Sequence, residues 1–527
     1  MANELDSCVV MQRSKAPGCD VVVVGLRPLT LEQVVRIADG DARVEVSGDP
    51  TYREHLARGV AMLEGHVKGG RRIYGVTTGF GDSCGTDVGV AEGRALALNL
   101  TRYHRCGTGR PFDDVETAAI LVARLVSLAR GYSAVRIEVL EQLALFANRR
   151  VLPLIPSEGS VGASGDLTPL AYVAAALAGE GDVTFEGRPC PAAAALGALA
   201  ASPLTLEPKE ALALVNGTSA MTGLAILAYD RAQHLSRLAA ALTAMAVEAL
   251  RGEAGHFDAR IFELKPHPGQ ATFARWVRED LGGGPTRDAS TARLQDRYSL
   301  RCAPHAVGVL LDVLPLARSF LETELNSVND NPIVDPDSGD LLLSGNFYGG
   351  HVCHAMDSIK ACVASVADLL DRQLALLVNP ATSNGLPNNL VAVEGRAAAT
   401  HHGFKAMQIT ASALTAEASK LTMPASAFSR STENHNQDKV SLGTIAARDC
   451  LRIIELTETV AVVHLLALCQ AVELRGPHAM GPRSIALHAA VREVAEQNHC
   501  DRPMDRDIVA VLERYRERRL PIGDVAL

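Results

Sequence analysis

Residues 159–170 read Gly159-Ser160-Val161-Gly162-Ala163-Ser164-Gly165-Asp166-Leu167-Thr168-Pro169-Leu170, and the fold is decided by this stretch. It lacks the Gly-Lys-Ser/Thr ending of a phosphate-binding loop, and its glycines do not have the spacing of a dinucleotide site. Ser164 is not the serine of a G-x-S-x-G elbow, because Ala163 and Gly165 flank it directly. A helix cap at Asp166 or Thr168 would leave the glycines unexplained. The stretch therefore calls for a chemistry of the tripeptide itself.

The tripeptide Ala163-Ser164-Gly165 can cyclise if its backbone bends tightly enough. The amide nitrogen of Gly165 would attack the carbonyl carbon of Ala163, and glycine suits this approach because it has no Cβ to block it. Loss of two waters would leave a five-membered ring in which Ser164 has become an exocyclic methylene. This predicts 4-methylidene-imidazol-5-one, an electrophile formed from the chain, with no external cofactor and no metal ion.

The segment Ala163-Ser164-Gly165-Asp166-Leu167 resembles the signature of the aromatic amino acid ammonia-lyases and aminomutases. Further blocks that resemble this family follow the same order along the chain: Tyr74–Gly81, Leu214–Thr218, Gln295–Cys302, Asn326–Pro332, Gly345–Phe347, His435–Asp438 and Ser441–Gly443. The resemblance implies an aromatic amino acid as substrate. It also implies a homotetramer in which each active site is assembled from more than one chain.

The roles of the site residues also come from this resemblance. Tyr74 is implied as the base that takes the β-proton, so the site should favour the phenolate of a group whose usual pKa is about 10. Tyr298 is implied as a second phenol that helps proton transfer or orients the amine. Arg301 would hold the substrate carboxylate through a bidentate pair. The other implied binding residues are Asn216 and Asn331, which would hydrogen-bond the ring or the carboxylate, and Gln295, Phe347 and Gln437, which would line the site. Taken singly, Asn216 could instead cap a helix, Tyr298 pack in the core and Arg301 form a surface pair.

The substrate-discriminating pair of the family falls on Tyr103-His104 in this chain. Tyrosine lyases resemble His-Leu at this point, phenylalanine lyases Phe-Leu and histidine lyases Ser-His. The Tyr-His pair is similar to that of bacterial 2,3-aminomutases that make β-tyrosine or β-phenylalanine. His104 could hydrogen-bond a phenol, and such a bond rejects an analogue that lacks the hydroxyl. Histidine lyases also place a carboxylate where Gln437 stands, which disfavours an imidazole substrate.

Lyase and mutase share all of these residues. A mutase keeps the arylacrylate and ammonia long enough for readdition at Cβ, whereas a lyase releases them. We predict a tyrosine 2,3-aminomutase with ammonia-lyase side activity; the alternative is a tyrosine or phenylalanine ammonia-lyase. An inactive scaffold would lack Ser164 or Tyr74, and a fumarase-type lyase would carry Gly-Ser-Ser-x-Met-Pro, which Met423-Pro424 does not continue.

Composition and charge exclude several partner classes. The 527 residues include 51 Lys and Arg against 60 Asp and Glu, and only 4% are aromatic. A net charge of −9 argues against nucleic acid or an anionic membrane as the main partner. The acidic N-terminus has no apolar stretch behind it, which predicts a cytoplasmic protein. His351, His354 and Asp357 are spaced for one helix face, but the predicted chemistry needs no ion, and we predict no metal site.

Hydrophobic periodicity predicts a mainly α fold with a long antiparallel helical bundle, and the family resemblance implies that it is fumarase/aspartase-like. We divide the chain into a loose leader (1–19), an N-terminal domain of mixed structure with both glycine-rich loops (20–208), a long antiparallel helical bundle (209–475) and shorter C-terminal helices (476–527). Helices are predicted over 50–68, 90–150, 209–252, 304–328, 352–378, 400–421 and 441–475.

Overall fold

The computed structural model describes residues 20–282, 294–476 and 480–525; the predicted leader 1–19 lies outside them. The α-helices are α1 Leu31–Ala38, α2 Pro50–Lys68, α3 Gly93–Tyr103, α4 Asp114–Leu128, α5 Ile137–Arg149, α6 Leu167–Leu177, α7 Ala192–Ala198, α8 Pro208–Val215, α9 Ser219–Ala249, α10 Ala259–Leu264, α11 Pro268–Leu281, α12 Tyr298–Arg301, α13 Ala303–Leu325, α14 Gly350–Val378, α15 Lys405–Lys420, α16 Gly443–Arg475, α17 Pro482–Arg492 and α18 Asp505–Arg516. The strands are β1 Asp20–Val24, β2 Ala42–Val46, β3 Thr108–Pro111, β4 Leu152–Pro153, β5 Pro156–Glu158, β6 Asp182–Phe185, β7 Arg188–Pro191, β8 Ile333–Asp335 and β9 Asp340–Leu342. The mainly α prediction is confirmed.

The strands form small, separate sheets. Parallel β1 and β2 pair from Asp20 opposite Ala42 to Val24 opposite Val46. Strands β6 and β7 form a hairpin, and β4 pairs with the other edge of β6. None of the described sheets is large enough to organise the core, which is built from helices instead.

The predicted helix over 90–150 is wrong as a single element. It is divided into α3, β3, α4 and α5. Gly109 has a φ of +83° and Gly131 a φ of +83°, in the left-handed region that favours glycine, and Pro111 ends β3. The apolar spacing correctly indicated helical segments, but periodicity alone does not show where glycine and proline interrupt them.

Consecutive long helices α9, α13, α14, α15 and α16 alternate in direction, as the antiparallel prediction requires. The end of α13 meets the start of α9, where Thr218 Oγ1 donates to Glu324 at 2.6 Å. The far ends of α9 and α16 meet where Arg475 Nε donates to the carbonyl of Ala249 at 2.9 Å. Alternation therefore places the N-termini of α9, α14 and α16 at the same end of the bundle.

One stretch, Tyr298–Leu325, is long and apolar enough to cross a membrane by length and composition alone. Half of its most apolar window is buried against neighbouring helices, and the core helix of a soluble protein meets the same description. On its outer side Val309 and Leu316 are each at least half exposed. The long-helix part of this chain thus presents an apolar face to its surroundings.

Candidate active site

The Ala163-Ser164-Gly165 loop is held in a tight bend. Ser164 has a φ of +49° and Gly165 a φ of +78°, both in the left-handed region. A Cβ at Gly165 would lie 2.7 Å from the Cα of Gly217, so only glycine fits against that turn. The bend and the missing side chain are the two conditions under which the Gly165 nitrogen can approach the Ala163 carbonyl carbon.

The Asp166 carboxylate connects the loop to two helices. It is fully buried and accepts hydrogen bonds from Ser160 Oγ at 2.9 Å, from the Met221 N–H at 2.8 Å and from Thr444 Oγ1. Burial raises the pKa of Asp166, and the hydrogen bonds from Thr444, Met221 and Ser160 oppose that rise. One carboxylate therefore ties the loop to the first turns of α9 and α16.

Four helix N-termini converge on this loop. Helix α6 starts directly after Asp166, and α9 and α16 begin at the residues that bond its carboxylate. Helix α14 begins next to Gly349, where an added Cβ would contact the Met221 side chain of α9. The positive ends of these helix dipoles favour developing negative charge. The loop therefore stands where an electrophile would be most strongly polarised.

A cavity of about 470 Å³ opens above the loop. It brings together six of the predicted residues: Tyr74, Ala163, Ser164, Asn331, Phe347 and Gln437. It also contains residues that sequence reasoning missed, among them Arg72, Tyr348 and Lys439. The last two are chain neighbours of the Gly345–Phe347 and His435–Asp438 blocks, so extending those blocks by one residue would have found them.

Tyr74 is positioned by its own loop. Its hydroxyl oxygen accepts a hydrogen bond from the Gly81 N–H at 2.8 Å, and the side chain is partly buried. Burial raises the pKa of Tyr74; the Gly81 hydrogen bond lowers it, and the charge of Glu433 adds to the rise. The expectation that the surroundings favour phenolate is wrong for the isolated chain, because burial outweighs the one hydrogen bond that stabilises the anion.

Hydrogen bonds between residues 433–434 and Asp82 hold the Tyr74 loop in place; we call this contact the clasp. Glu433 accepts hydrogen bonds from the Asp82 N–H at 2.8 Å and from Asn436 Nδ2 at 2.7 Å, and Asn434 Nδ2 donates to Asp82 at 3.1 Å. Glu433, Asn434 and the next residue along the chain all have φ values between +50° and +65°. Such a run of left-handed residues is costly, and it persists only where surrounding contacts fix it.

We expect the Glu433→Gln variant to move the rise of kcat/KM with pH to lower pH by about half a pH unit to one unit. The reason is that the Glu433 charge raises the pKa of Tyr74, so its removal lowers that pKa. Weaker bonding to Asp82 should also raise KM by about threefold to tenfold. Glu417→Gln, which breaks an exposed pair with Arg452, is the control. An unshifted pH profile for Glu433→Gln would show that the Glu433 charge does not affect the pKa of Tyr74.

Tyr103 and His104 lie beside the cavity rather than in its wall. Their ring centroids are 4.5 Å apart, and Tyr103 is 54% exposed. Burial lowers the pKa of His104 to about 4, although the charge of Glu433 opposes the change. The imidazole is therefore neutral near pH 7 and can either donate to or accept from a phenol.

Asn216 ends α8 and precedes Gly217, which hydrogen-bonds the loop. The residue is 2% exposed, and its side-chain Oδ1 has no hydrogen-bond partner within the described chain. A buried acceptor without a donor is costly. The position of Asn216 is compatible with both a helix cap and a binding role. The Oδ1 without a partner favours a hydrogen bond to a group formed at the loop.

Gln295, Tyr298 and Arg301 do not reach the cavity of their own chain. Tyr298 is 72% exposed, with the Arg301 guanidinium 4.6 Å from its ring centroid. The carbonyl of Ser299, between them, accepts from Gln373 Nε2, which also bonds Thr243 near the far end of α9. Twenty-two residues of helix separate Thr243 from Met221 at the loop, about 33 Å at 1.5 Å per residue.

The His351, His354 and Asp357 spacing has ordinary partners. His351 packs edge-on against Phe320, and the Asp357 carboxylate pairs with Lys360 at 2.8 Å. Within residues 20–282, 294–476 and 480–525, no group of three or more His, Cys, Asp and Glu is arranged to hold a metal.

Comparison with known proteins decides the family. The family model described as "Aromatic amino acid lyase" matches residues 29–493. The chain belongs to the aromatic amino acid lyase family. It is 39% identical to histidine ammonia-lyase of Aromatoleum aromaticum over 92% of this chain and 91% of that one. The structure of tyrosine aminomutase from Streptomyces globisporus superimposes with a TM-score of 0.87 at 36% identity, covering 94% of this chain and 97% of that one. Phenylalanine aminomutase from Pantoea agglomerans gives a TM-score of 0.87 at 31% identity, covering 94% and 98%.

The protein is thus an enzyme of a family that contains both lyases and aminomutases. Members of this family use the self-formed 4-methylidene-imidazol-5-one group. The residues of this chain fit that group, because the tripeptide is bent, Gly165 has no room for a side chain and the buried Asn216 Oδ1 has no donor among the residues that the structure describes.

Proposed function

We propose that this enzyme is a 2,3-aminomutase that converts L-tyrosine to β-tyrosine through an arylacrylate, and releases some arylacrylate and ammonia as a side reaction. The observation that carries the proposal is a neutral His104 beside Tyr103 at the rim of a cavity that contains Gln437. A phenol can hydrogen-bond this pair. The likeness to two solved aminomutases over almost the whole chain supports the same assignment.

The chain's own residues divide the work. The group formed from Ala163-Ser164-Gly165 supplies an electrophile for the substrate amine. Tyr74 takes the β-proton as phenolate, and the Gly81 N–H stabilises the oxygen that loses and regains the proton. Asn331, held by the Ser344 N–H at 2.8 Å, presents its amide nitrogen to the substrate carboxylate, and Phe347 packs against the aromatic ring.

The remaining binding residues come from a neighbouring chain in this proposal. Tyr298 is exposed, with Arg301 against its ring, and their segment is held near Thr243, about 33 Å along α9 from Met221 at the loop. The cavity is therefore left without a bidentate carboxylate partner from that segment. The half-exposed apolar side of α13 offers a surface for a second copy. We therefore propose a homotetramer in which Arg301 of one chain serves the Ser164 loop of another, in the cytoplasm.

Subunit mixing tests the shared site. Ser164→Ala and Arg301→Ala chains should each be inactive as pure oligomers. Co-expressed in equal amounts, they should recover about a quarter of wild-type activity, because one site in four combines two intact halves. The same mixture made from Ser164→Ala and Tyr74→Phe chains is the control. Tyr74 lies in the same cavity as Ser164, so that mixture should stay inactive if both residues serve one chain's site. No recovery in the first mixture would contradict shared sites.

A substitution at His104 tests the substrate. We expect His104→Leu to reduce the preference for tyrosine over phenylalanine by about 10- to 100-fold, because the phenol loses its hydrogen-bond partner. The measurement is kcat/KM for both amino acids, with His488→Leu as control, since His488 pairs with Glu473 at the far end of α16. An unchanged ratio would remove His104 from phenol recognition.

Histidine deamination is the second candidate, favoured by the 39% identity to a protein named histidine ammonia-lyase. A neutral Gln437 in the cavity argues against it, since an imidazole substrate is expected to face a carboxylate there. Equal concentrations of L-histidine, L-tyrosine and L-phenylalanine in one reaction would separate the candidates by which amino acid is consumed first.

A further inference from the structure

Arg124 is a fully buried cation in the middle of α4 that the reaction does not use. Its Nη1 donates to the carbonyl of Asn216 at 3.3 Å, to Ser219 Oγ at 3.3 Å and to the carbonyl of Asn329 at 3.5 Å. Its Nε and Nη2 are buried and have no hydrogen-bond partner in the described chain. No carboxylate of the described residues lies within 4 Å of it, and burial lowers the pKa of Arg124 to about 10.

A guanidinium in this position is costly for stability. Burying a charge without a paired carboxylate and with unsatisfied N–H groups is strongly unfavourable. An apolar side chain of similar length, such as methionine, would fill the space without that penalty. The cost of this buried charge indicates that Arg124 has a role other than stability, and its contacts show which residues that role involves.

Arg124 is connected to the tripeptide through a single residue, Gly217. The Gly217 N–H donates to the carbonyl of Ser164 at 3.2 Å, and its carbonyl accepts from the Asp166 N–H at 2.8 Å. These two bonds grip the backbone on both sides of Gly165. Arg124 Nη1 lies against the opposite side of Gly217, so close that a Cβ there would collide with it.

We propose that Arg124 is a positioning residue for the self-modification: it holds the Asn216-Gly217 turn against Gly165 and so keeps the tripeptide bent for cyclisation. By binding the carbonyls of both Asn216 and Asn329, it fixes the turn to a second segment as well as to α4. The inference rests on the proposed function, because it presupposes that the ring forms.

The step that Arg124 assists needs no co-reactant. The Gly165 nitrogen bonds to the Ala163 carbonyl carbon, and the carbonyl oxygen leaves as water with the protons of the Gly165 and Ser164 amides. Ser164 then loses its hydroxyl and its α-proton as the second water. All four hydrogens and both oxygens of the two waters come from the chain, so no oxidant or reductant is needed.

Mass spectrometry of purified full-length variants tests the role independently of turnover. In the wild type the chain should be lighter than its sequence mass by about 36 Da. In Arg124→Met we expect the fraction carrying this loss to fall at least about fivefold at equal time after synthesis. Arg124→Lys keeps the charge but cannot hold two carbonyls with a fixed fork, and it should fall between the two.

Arg237→Met is the matched control, because Arg237 is also buried but pairs with Asp280, which keeps Arg483 as a second partner. Thermal unfolding of every variant shows that it is folded, and Arg124→Lys carries the test if Arg124→Met does not fold. Complete mass loss in a folded Arg124 variant, or an equal deficit in Arg237→Met, would overturn the inference alone. A wild type with the unmodified sequence mass would overturn the proposed function itself.

Discussion

Ser164→Ala should lower kcat by at least about a thousandfold and abolish the mass loss of about 36 Da. Alanine has no hydroxyl to lose, so no exocyclic methylene can form even if the backbone cyclises. The bend itself does not depend on the hydroxyl, because Gly217 and Asp166 hold the loop through backbone and carboxylate contacts. The variant should therefore fold like the wild type while losing the electrophile.

The measurement pairs intact mass with initial rates on L-tyrosine. Ser236→Ala is the matched control, since Ser236 is a fully buried serine in α9 whose hydroxyl bonds only the carbonyl of Gln233 among the described residues. It should keep both the mass loss and the activity. Substantial turnover by Ser164→Ala would mean that the amine is activated by some other group, and the loop would lose its assigned role.

Tyr74→Phe should lower kcat by about a hundredfold to ten-thousandfold while leaving the mass loss of about 36 Da intact. Tyr74 lines the same cavity, and its hydroxyl bonds the Gly81 N–H rather than the tripeptide, so ring formation should proceed without that hydroxyl. This separates the base from the electrophile. Ser164→Ala removes both observables, whereas Tyr74→Phe removes only one.

The pH dependence follows from the raised pKa of Tyr74. Only the deprotonated phenol can accept the β-proton, and burial keeps the group protonated at neutral pH. The wild-type kcat/KM should therefore increase with pH, by about tenfold per unit well below that pKa, and should not level off below about pH 10. The residual rate of Tyr74→Phe should not show this increase. Tyr52→Phe, which removes another buried hydroxyl bonded to the Ala129 carbonyl, should keep the wild-type profile. A wild-type rate that falls between pH 7 and 9 would exclude Tyr74 as the base.

The local chemistry of the loop could be predicted from the sequence because it depends on neighbours in the chain. Gly165 is required where the backbone must pass close to another segment, and the order Ala-Ser-Gly-Asp is visible without a structure. The long helices were predictable for a similar reason. Apolar spacing over 441–475 gave an element that the structure places at Gly443–Arg475.

What depended on distant contacts could not be predicted. The pKa of Tyr74 is governed by burial beneath loops that come from opposite ends of the chain, and Glu433 reaches Asp82 across 351 positions. The resemblance implied a binding role for Arg301 in the Gln295–Cys302 block, but it did not show that this block packs near the end of α9 opposite to the Ser164 loop. A role for Arg124 could not be predicted from the sequence, because a single arginine in an apolar helix has no motif around it. Its contact with Gly217 is visible only in the structure.

A time course of the purified enzyme with L-tyrosine tests the aminomutase assignment most directly. Chiral chromatography would follow α- and β-tyrosine while absorbance follows the arylacrylate. We predict that β-tyrosine accumulates before coumarate and faster than it. Coumarate and ammonia without β-tyrosine would contradict the aminomutase assignment, and consumption of L-histidine with no turnover of tyrosine would contradict the substrate as well.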